Sequence, residues 1–413
     1  MNRLVVVGPS VRWLLQSAQR TGMQSAGIDF FADVDATEAG EVVRVGGWAE
    51  IPEAAEGLRP DAILIGGGFE TQPNLVAALR ERAPLWNLSA ESCAALRDPE
   101  RWTAVFAAAG IRVPQHRSAG RGERSKEPPP QDPAKQWLLK RADSSGGQGV
   151  RLLDSKAVAD WIAQEGNAAG SEFLQELKRG LASSALFFLT RGQASCLGFF
   201  RQLCGRREFG AKDYQYCGAI GPLPISASQA DQLETIGRGL VELGGRGVIG
   251  IDLMAIGDEL CPIEINPRIT ASGELWELAT PRGSLVGLQA TEFAEGVGWP
   301  VARAATPPFY PGSIGSSATC EASGSSNATV FGKAVLFWPE DRPLMIDLTQ
   351  SEWLRRERAA GRLADIPPMG NVIARGEPVV TLLATGFSEA AVERSLIARA
   401  GELRANLRAN LKG

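Results

Sequence analysis

The chain holds a single histidine, His116, in 413 residues. That scarcity removes Ser-His-Asp and Cys-His catalysis and histidine-based zinc sites, unless His116 serves alone. Its place beside Pro114 and a loop reads as a surface histidine. The six cysteines include no C-x-x-C pair, so reduced thiols are expected and a structural metal is not. No apolar run approaches the roughly 18 residues that span a bilayer. The opening Met1-Asn-Arg-Leu-Val-Val-Val-Gly8 lacks the long apolar stretch and small-residue cleavage site of an export signal. Neither a membrane nor export is expected, and the cytoplasm is the expected compartment. An excess of positive charge is missing too. Against 47 acidic residues stand 43 basic ones, a net charge of −4, which supplies no electrostatic case for a nucleic-acid partner.

What is present is an ordinary globular composition, 44% hydrophobic and 22% charged, long enough for roughly two to four domains. Arg3 to Gly8 and Asp61 to Gly68 read as buried strands, each followed by a helical pattern, Val11 to Thr21 and Asn74 to Arg82. Such alternation predicts βαβ units on a parallel sheet over residues 1–100. Both strands end in glycine without a G-x-G-x-x-G, so tight turns and a ligand-facing sheet edge both remain open there. A helix from Pro99 should stop at Gly110. Ser118 to Pro133 reads as a polar, proline-rich connector, and Gly312 to Gly324 as a loop. Strands are expected over Ala328 to Trp338 and Val372 to Thr385, with a terminal helix from Glu389 to Asn410.

Three stretches carry chemistry. In Trp137 to Leu153 an apolar strand ends in Lys140, then a turn richer in glycine than a hairpin needs (Gly146, Gly147, Gly149) leads to a second strand. Bare peptide N–H groups in such a loop can close over phosphate oxygens while the lysine supplies a point charge, although a mobile hairpin has the same look. In Gly247 to Asn266 a turn at Gly257-Asp258 should pair two strands and set Asp252 opposite Glu264, with Asn266 on the same face as Glu264. Two carboxylates and an amide oxygen repel unless a cation lies between them, and hard oxygen donors suit Mg²⁺ or Mn²⁺; the other reading is a solvated sheet edge. Glu172 to Gly180 is a short strand running into a polar bend, as at a hinge between lobes.

In this order the stretches resemble the ATP-grasp family of carboxylate ligases: a strand lysine before a glycine-rich flap, a Gln-Glu hinge, and an acid twelve residues before Glu264-Ile-Asn-Pro-Arg268. The resemblance implies a Rossmann-like domain over 1–100, a small lobe with the flap over 101–183, a large lobe with the metal site over 184–310, and a β-rich extension over 311–413. It implies ATP and Mg²⁺ (or Mn²⁺) as cofactors. It sets Lys140 on the nucleotide phosphates and Gly146, Gly147 and Gly149 in the flap. Gln175, Glu176 and Leu177 become the adenine-reading hinge, Met254 the adenine floor, Asp252, Glu264 and Asn266 the metal ligands, and Arg268 the catalytic arginine. Lys212 is a second phosphate lysine in a loop that closes over the site. Two departures stand out: Arg101 replaces a helix lysine, and Ser183 and Ser184 stand where a ribose glutamate is usual, so Ser183 is the ribose candidate. The activity implied joins a small carboxylate to an amine through an acyl phosphate. A bicarbonate-using carboxylase and a non-catalytic nucleotide-binding protein are the alternatives. A homodimer is compatible with the pattern. The whole chain looks most like ATP-grasp proteins associated with methanopterin- or methanofuran-linked one-carbon metabolism. The acceptor is expected at the tips of the N-terminal sheet, near Gly8, Gly67 and Glu70.

Overall fold

The computed structural model describes residues 2–118, 135–142, 144–164, 172–294, 299, 329–345 and 352–410. Most of the proline-rich connector and all of 312–324 lie outside them. Leu4 to Val7 are apolar without alternation, which suits a strand covered on both faces. They form Arg3–Val7, an inner strand of a parallel sheet ordered Glu41–Arg44, Gln24–Asp29, Arg3–Val7, Ala62–Ile65. Val5, Val7, Ile63 and Ile65 pack among Ile51, Leu58, Leu75 and Leu79 of the helices Ile51–Leu58 and Pro73–Arg80. Leu4, Val6 and Leu64 on the opposite face meet Leu14 and Leu15 of the helix Arg12–Arg20, and with them Leu275, Trp276 and Leu285 from much later in the chain. The N-terminal domain therefore shares one core with the lobe behind it, and its strand tips are held in place against that lobe.

A small antiparallel sheet follows, ordered His116–Ser118, Glu172–Glu176, Trp137–Arg141, Arg151–Leu153. Trp137, Leu139 and Leu174 make its core with Val158 of the helix Ser155–Gln164. The largest sheet runs Glu259–Asn266, Gly247–Ile256, Leu181–Thr190, Gln193–Cys204, Tyr216–Gly221, Val330–Phe337, Pro378–Gly386, Leu363–Ala364. The C-terminal strands thus extend the same sheet that carries the acidic strand pair. The helix Ala227–Glu242, opened by a Ser226/Gln229 capping box, adds Leu233, Ile236 and Leu240 to its core, and the helix Glu389–Asn410 adds Leu396 and Leu403. The architecture is a Rossmann-like domain, a two-lobed middle and a β-rich C-terminal region, as expected.

One expected strand is broken. Val372 to Thr385 divides into Val372–Ile373 and Pro378–Gly386, because Gly376 turns with φ +84° and its N–H donates to the Trp338 carbonyl at 2.7 Å. Among the described residues no helix is long and apolar enough to cross a membrane.

Candidate active site

The small sheet and the large sheet enclose a cavity of about 330 Å³. Its floor rests on the strand pair Gly247–Ile256 and Glu259–Asn266, where the expected pairing of Asp252 with Glu264 is reached through a bulge between Asp252 and Leu253 that shifts the turn's register by one. Asp252 accepts from Gln202 Nε2 at 2.7 Å and from Asn266 Nδ2 at 3.2 Å. Glu264 accepts from Lys140 Nζ at 2.9 Å, so the lysine of the small sheet meets an acid of the large one. Burial, then the charge of Glu264, pushes Asp252 up to about 6. Burial would raise Glu264 too, but Lys140, Arg97 and Arg268 hold it below the usual range. Of the two facing acids Glu264 is paired with Lys140, while Asp252 is met by amide donors and feels the like charge of Glu264.

That like-charge repulsion is the test of whether a cation fits. A divalent ion between Asp252 and Glu264 would relieve it, and the donor set of two carboxylates and an amide is all oxygen, the chemistry of Mg²⁺ or Mn²⁺. Among the described residues no group of three or more His, Cys, Asp or Glu side chains is placed to hold a metal. Two carboxylates suffice when phosphate and water complete the shell.

The flap arches over this floor. Gly146, Gly147 and Gly149 all have left-handed φ, +65°, +76° and +75°. A Cβ on Gly147 would lie 2.0 Å from the Tyr214 carbonyl oxygen, so only glycine lets the flap seat there. Tyr216 N–H donates to the Gly146 carbonyl at 3.1 Å. Gly146 and Gly147 line the cavity and Gly149 does not. At the other end the Arg268 guanidinium lies 3.3 Å from where a Gly67 Cβ would be. The tip of the N-terminal sheet thus abuts the arginine of Glu-Ile-Asn-Pro-Arg.

Several expectations need correction. Ser183 does not face the cavity: strand alternation turns it into the core, where its hydroxyl donates to the Leu181 carbonyl at 3.0 Å. Ser184 lines the cavity instead. Lys212 is exposed and outside the cavity wall, its ammonium beside Gly376. The carbonyl oxygen of Tyr214 in its loop, rather than the lysine, is what meets the flap. Met254 and Gln175, Glu176 and Leu177 do line the cavity. Yet the peptide N–H groups of Glu176 and Leu177 already donate to Gln115 and Gln136 carbonyls at 2.9 and 2.8 Å, so an adenine edge would need other groups of the hinge. Arg101 is exposed, 3.9 Å from Asp98. His116 is no loop residue: it sits on a strand, partly buried against Trp102. Glu70 lies in the turn Phe69–Thr71, and its side chain is outside the described part.

Two side chains, Arg97 and Tyr216, escaped the sequence. Arg97, in the last turn of the helix Ala90–Arg97, lines the cavity with Nη1 buried and, among the described residues, without a hydrogen-bond partner, while Nη2 donates to the Ala142 carbonyl. The hydroxyls of Ser184 and Tyr216 are likewise buried on the wall without partners among the described residues. A cationic last helical turn one turn before Arg101 was the only signal for Arg97.

The sequence family model for the ATP-grasp domain matches residues 100–272. No curated protein matches the chain. Among solved structures, pyruvate carboxylase from Rhizobium etli aligns with TM-score 0.64 and 14% identity over 94% of this chain, which spans about a third of that enzyme, 35%. N5-carboxyaminoimidazole synthetase from Staphylococcus aureus, complexed with ADP, aligns at 0.62 and 14% over 97% of each chain. Phosphoribosylamine–glycine ligase from Thermotoga maritima aligns at 0.62 and 16%, over 97% of this chain and 96% of that one. Identities this low speak to the fold alone. The ATP-grasp match thus covers residues 100–272, and the chain around it shares the fold of these solved structures.

Proposed function

We propose that this protein is an ATP- and Mg²⁺-dependent ligase that activates a small carboxylate as an acyl phosphate and joins it to an amine. The observation that carries this reading is the convergence of Lys140, Arg268 and the Asp252–Glu264 pair on one cavity under a glycine flap. Lys140 and Arg97 would neutralise nucleotide phosphates, with Met254 beneath the base. Asp252, Glu264 and Asn266 would hold the metal, which when bound supplies charge neutralisation between the phosphates. Arg268 would steady the transferred phosphoryl group as the carboxylate oxygen attacks phosphorus and ADP leaves. The seated flap keeps water from the acyl phosphate until an amine displaces phosphate. No histidine or cysteine nucleophile is called for.

The fold of pyruvate carboxylase and of N5-carboxyaminoimidazole synthetase supports a second reading, in which bicarbonate is the acid. Our finer reading is aminoacyl or glutamyl ligation in one-carbon metabolism, in the cytoplasm, where the five described cysteines, all free, would stay reduced. The test is ADP release from Mg²⁺-ATP across a panel of acids and amines, with mass spectrometry of products. Release that needs both an amino acid and an amine, with an amide product, supports ligation; release with bicarbonate alone supports the second reading; none with any pair defeats both.

A further inference from the structure

His116 takes part in no step above. It lies across from Gln175 in the antiparallel pair of His116–Ser118 with Glu172–Glu176. Its ring meets Trp102 edge-on, with 5.1 Å between centroids. Two contacts decide how the Gln175 amide lies. The Ile263 carbonyl, 2.8 Å away, can only accept, so the amide atom facing it is nitrogen. The same nitrogen is 2.7 Å from His116 Nε2, which must then be the bare, accepting ring nitrogen. The amide oxygen is left facing Lys140 Nζ at 3.4 Å. Burial, then the Lys140 charge, pushes His116 down to about 4, so the ring is neutral near pH 7 and Nε2 is free to accept.

We propose that His116 is a positioning residue for nucleotide binding: by accepting from Gln175 it holds the amide oxygen toward Lys140 and so aims the phosphate-binding ammonium. This rests on the role given to Lys140 above. Without an acceptor at His116, one Gln175 N–H loses its partner and the amide is held by the Ile263 carbonyl alone, so its oxygen is less firmly aimed at the ammonium. Lys140 would then rest mainly on Glu264 at 2.9 Å, beside the metal pair. Nothing in the local sequence hints at this link, since His116 and Gln175 lie 59 residues apart and meet only through the sheet.

Three forms of the full chain test it: wild type, His116→Phe and His116→Gln, each titrated calorimetrically with Mg²⁺ and a non-hydrolysable ATP analogue, with melting temperatures alongside. Phenylalanine keeps the ring packing on Trp102 but removes the acceptor, and glutamine restores an acceptor oxygen at about the reach of Nε2. The expected result is about tenfold weaker nucleotide binding by His116→Phe, recovered to within about threefold by His116→Gln. In a Lys140→Ala background, His116→Phe should add nothing, because it acts through the lysine. Wild-type affinity in His116→Phe, equal losses in both variants, or a further tenfold loss on top of Lys140→Ala would each overturn the proposal. If His116→Phe does not fold, His116→Leu carries the same expectations. A wild type that binds no nucleotide overturns the functional reading and this inference with it, whereas binding by wild type with an unaffected variant overturns this inference alone.

Discussion

Asp252 and Asp365 are both half-buried aspartates associated with the large sheet, yet their surroundings drive them in opposite directions. Asp365, just past the edge strand Leu363–Ala364, accepts from Arg12 Nε at 2.9 Å, Ser10 Oγ at 3.1 Å and Thr381 Oγ1 at 2.5 Å. Burial would raise it, but Arg12 outweighs burial and holds it well below the usual carboxylate range. Around it Arg12 also meets Glu274 at 2.6 Å and Asp35 at 3.4 Å, and Lys333 meets Glu274 at 2.6 Å. Those contacts tie the N-terminal domain, the helix Gly273–Ala279 and the C-terminal strands together. Asp252 has amide donors but, among the described residues, no ion pair, and stays high at about 6. Where charge is matched inside the chain the cluster is a joint. Where it is left over beside a cavity, the cluster is a site that a ligand can complete.

The comparison breaks most visibly at the joint. Arg12→Ala would leave Asp365 and Glu274 buried without their cation and should lower stability by about 3–5 kcal/mol, read by urea melts. A loss under about 1 kcal/mol would mean that water already screens the cluster.

At the site the same kind of change should act on turnover. Glu264→Gln keeps the shape and removes one of two facing charges, so folding should hardly change while Mg²⁺-dependent ADP release drops about a hundredfold. Its Asp252 should also titrate lower, since a like charge is gone. Unaltered ADP release at limiting Mg²⁺ would remove the metal role.

Gly67→Val sharpens the boundary between the two. Its Cβ would press on the Arg268 guanidinium at 3.3 Å, so ADP release itself should fall about tenfold with the fold intact. The sheet tip where the acceptor is expected therefore also lies against the arginine of the phosphoryl end.

The smallest effect belongs to Asp33, the acid the joint leaves unmatched. Burial, then Asp365 and Asp35, push it up to about 8. The folded protein thus keeps a proton that the unfolded chain gives up near 3.8, so this group costs stability increasingly as pH rises from about 4 to about 8. Asp33→Asn should match wild type in melting temperature near pH 4 and exceed it by a few degrees at pH 9. A constant offset across that range would exclude Asp33 as the source.

By itself the sequence determined the parts of the site that are local. Asp252 faces Glu264 only because a bulge between Asp252 and Leu253 shifts the register by one, but the tight turn at Gly257-Asp258 that pairs the two strands is legible in twelve residues. Lys140 and the flap glycines are legible for the same reason, as is the parallel βαβ start. Only the tertiary structure decided which of Ser183 and Ser184 faces the cavity, because that depends on the face the strand Leu181–Thr190 turns toward its neighbours. It also decided that Arg97 and not Arg101 lines the wall, that Lys212 turns away, and that His116 is buried beside Gln175. The joint was invisible for a stronger reason. Arg12 and Asp365 lie 353 residues apart, and neither alone looks unlike a surface charge until three parts of the fold close around them and exclude the water that would otherwise solvate each one.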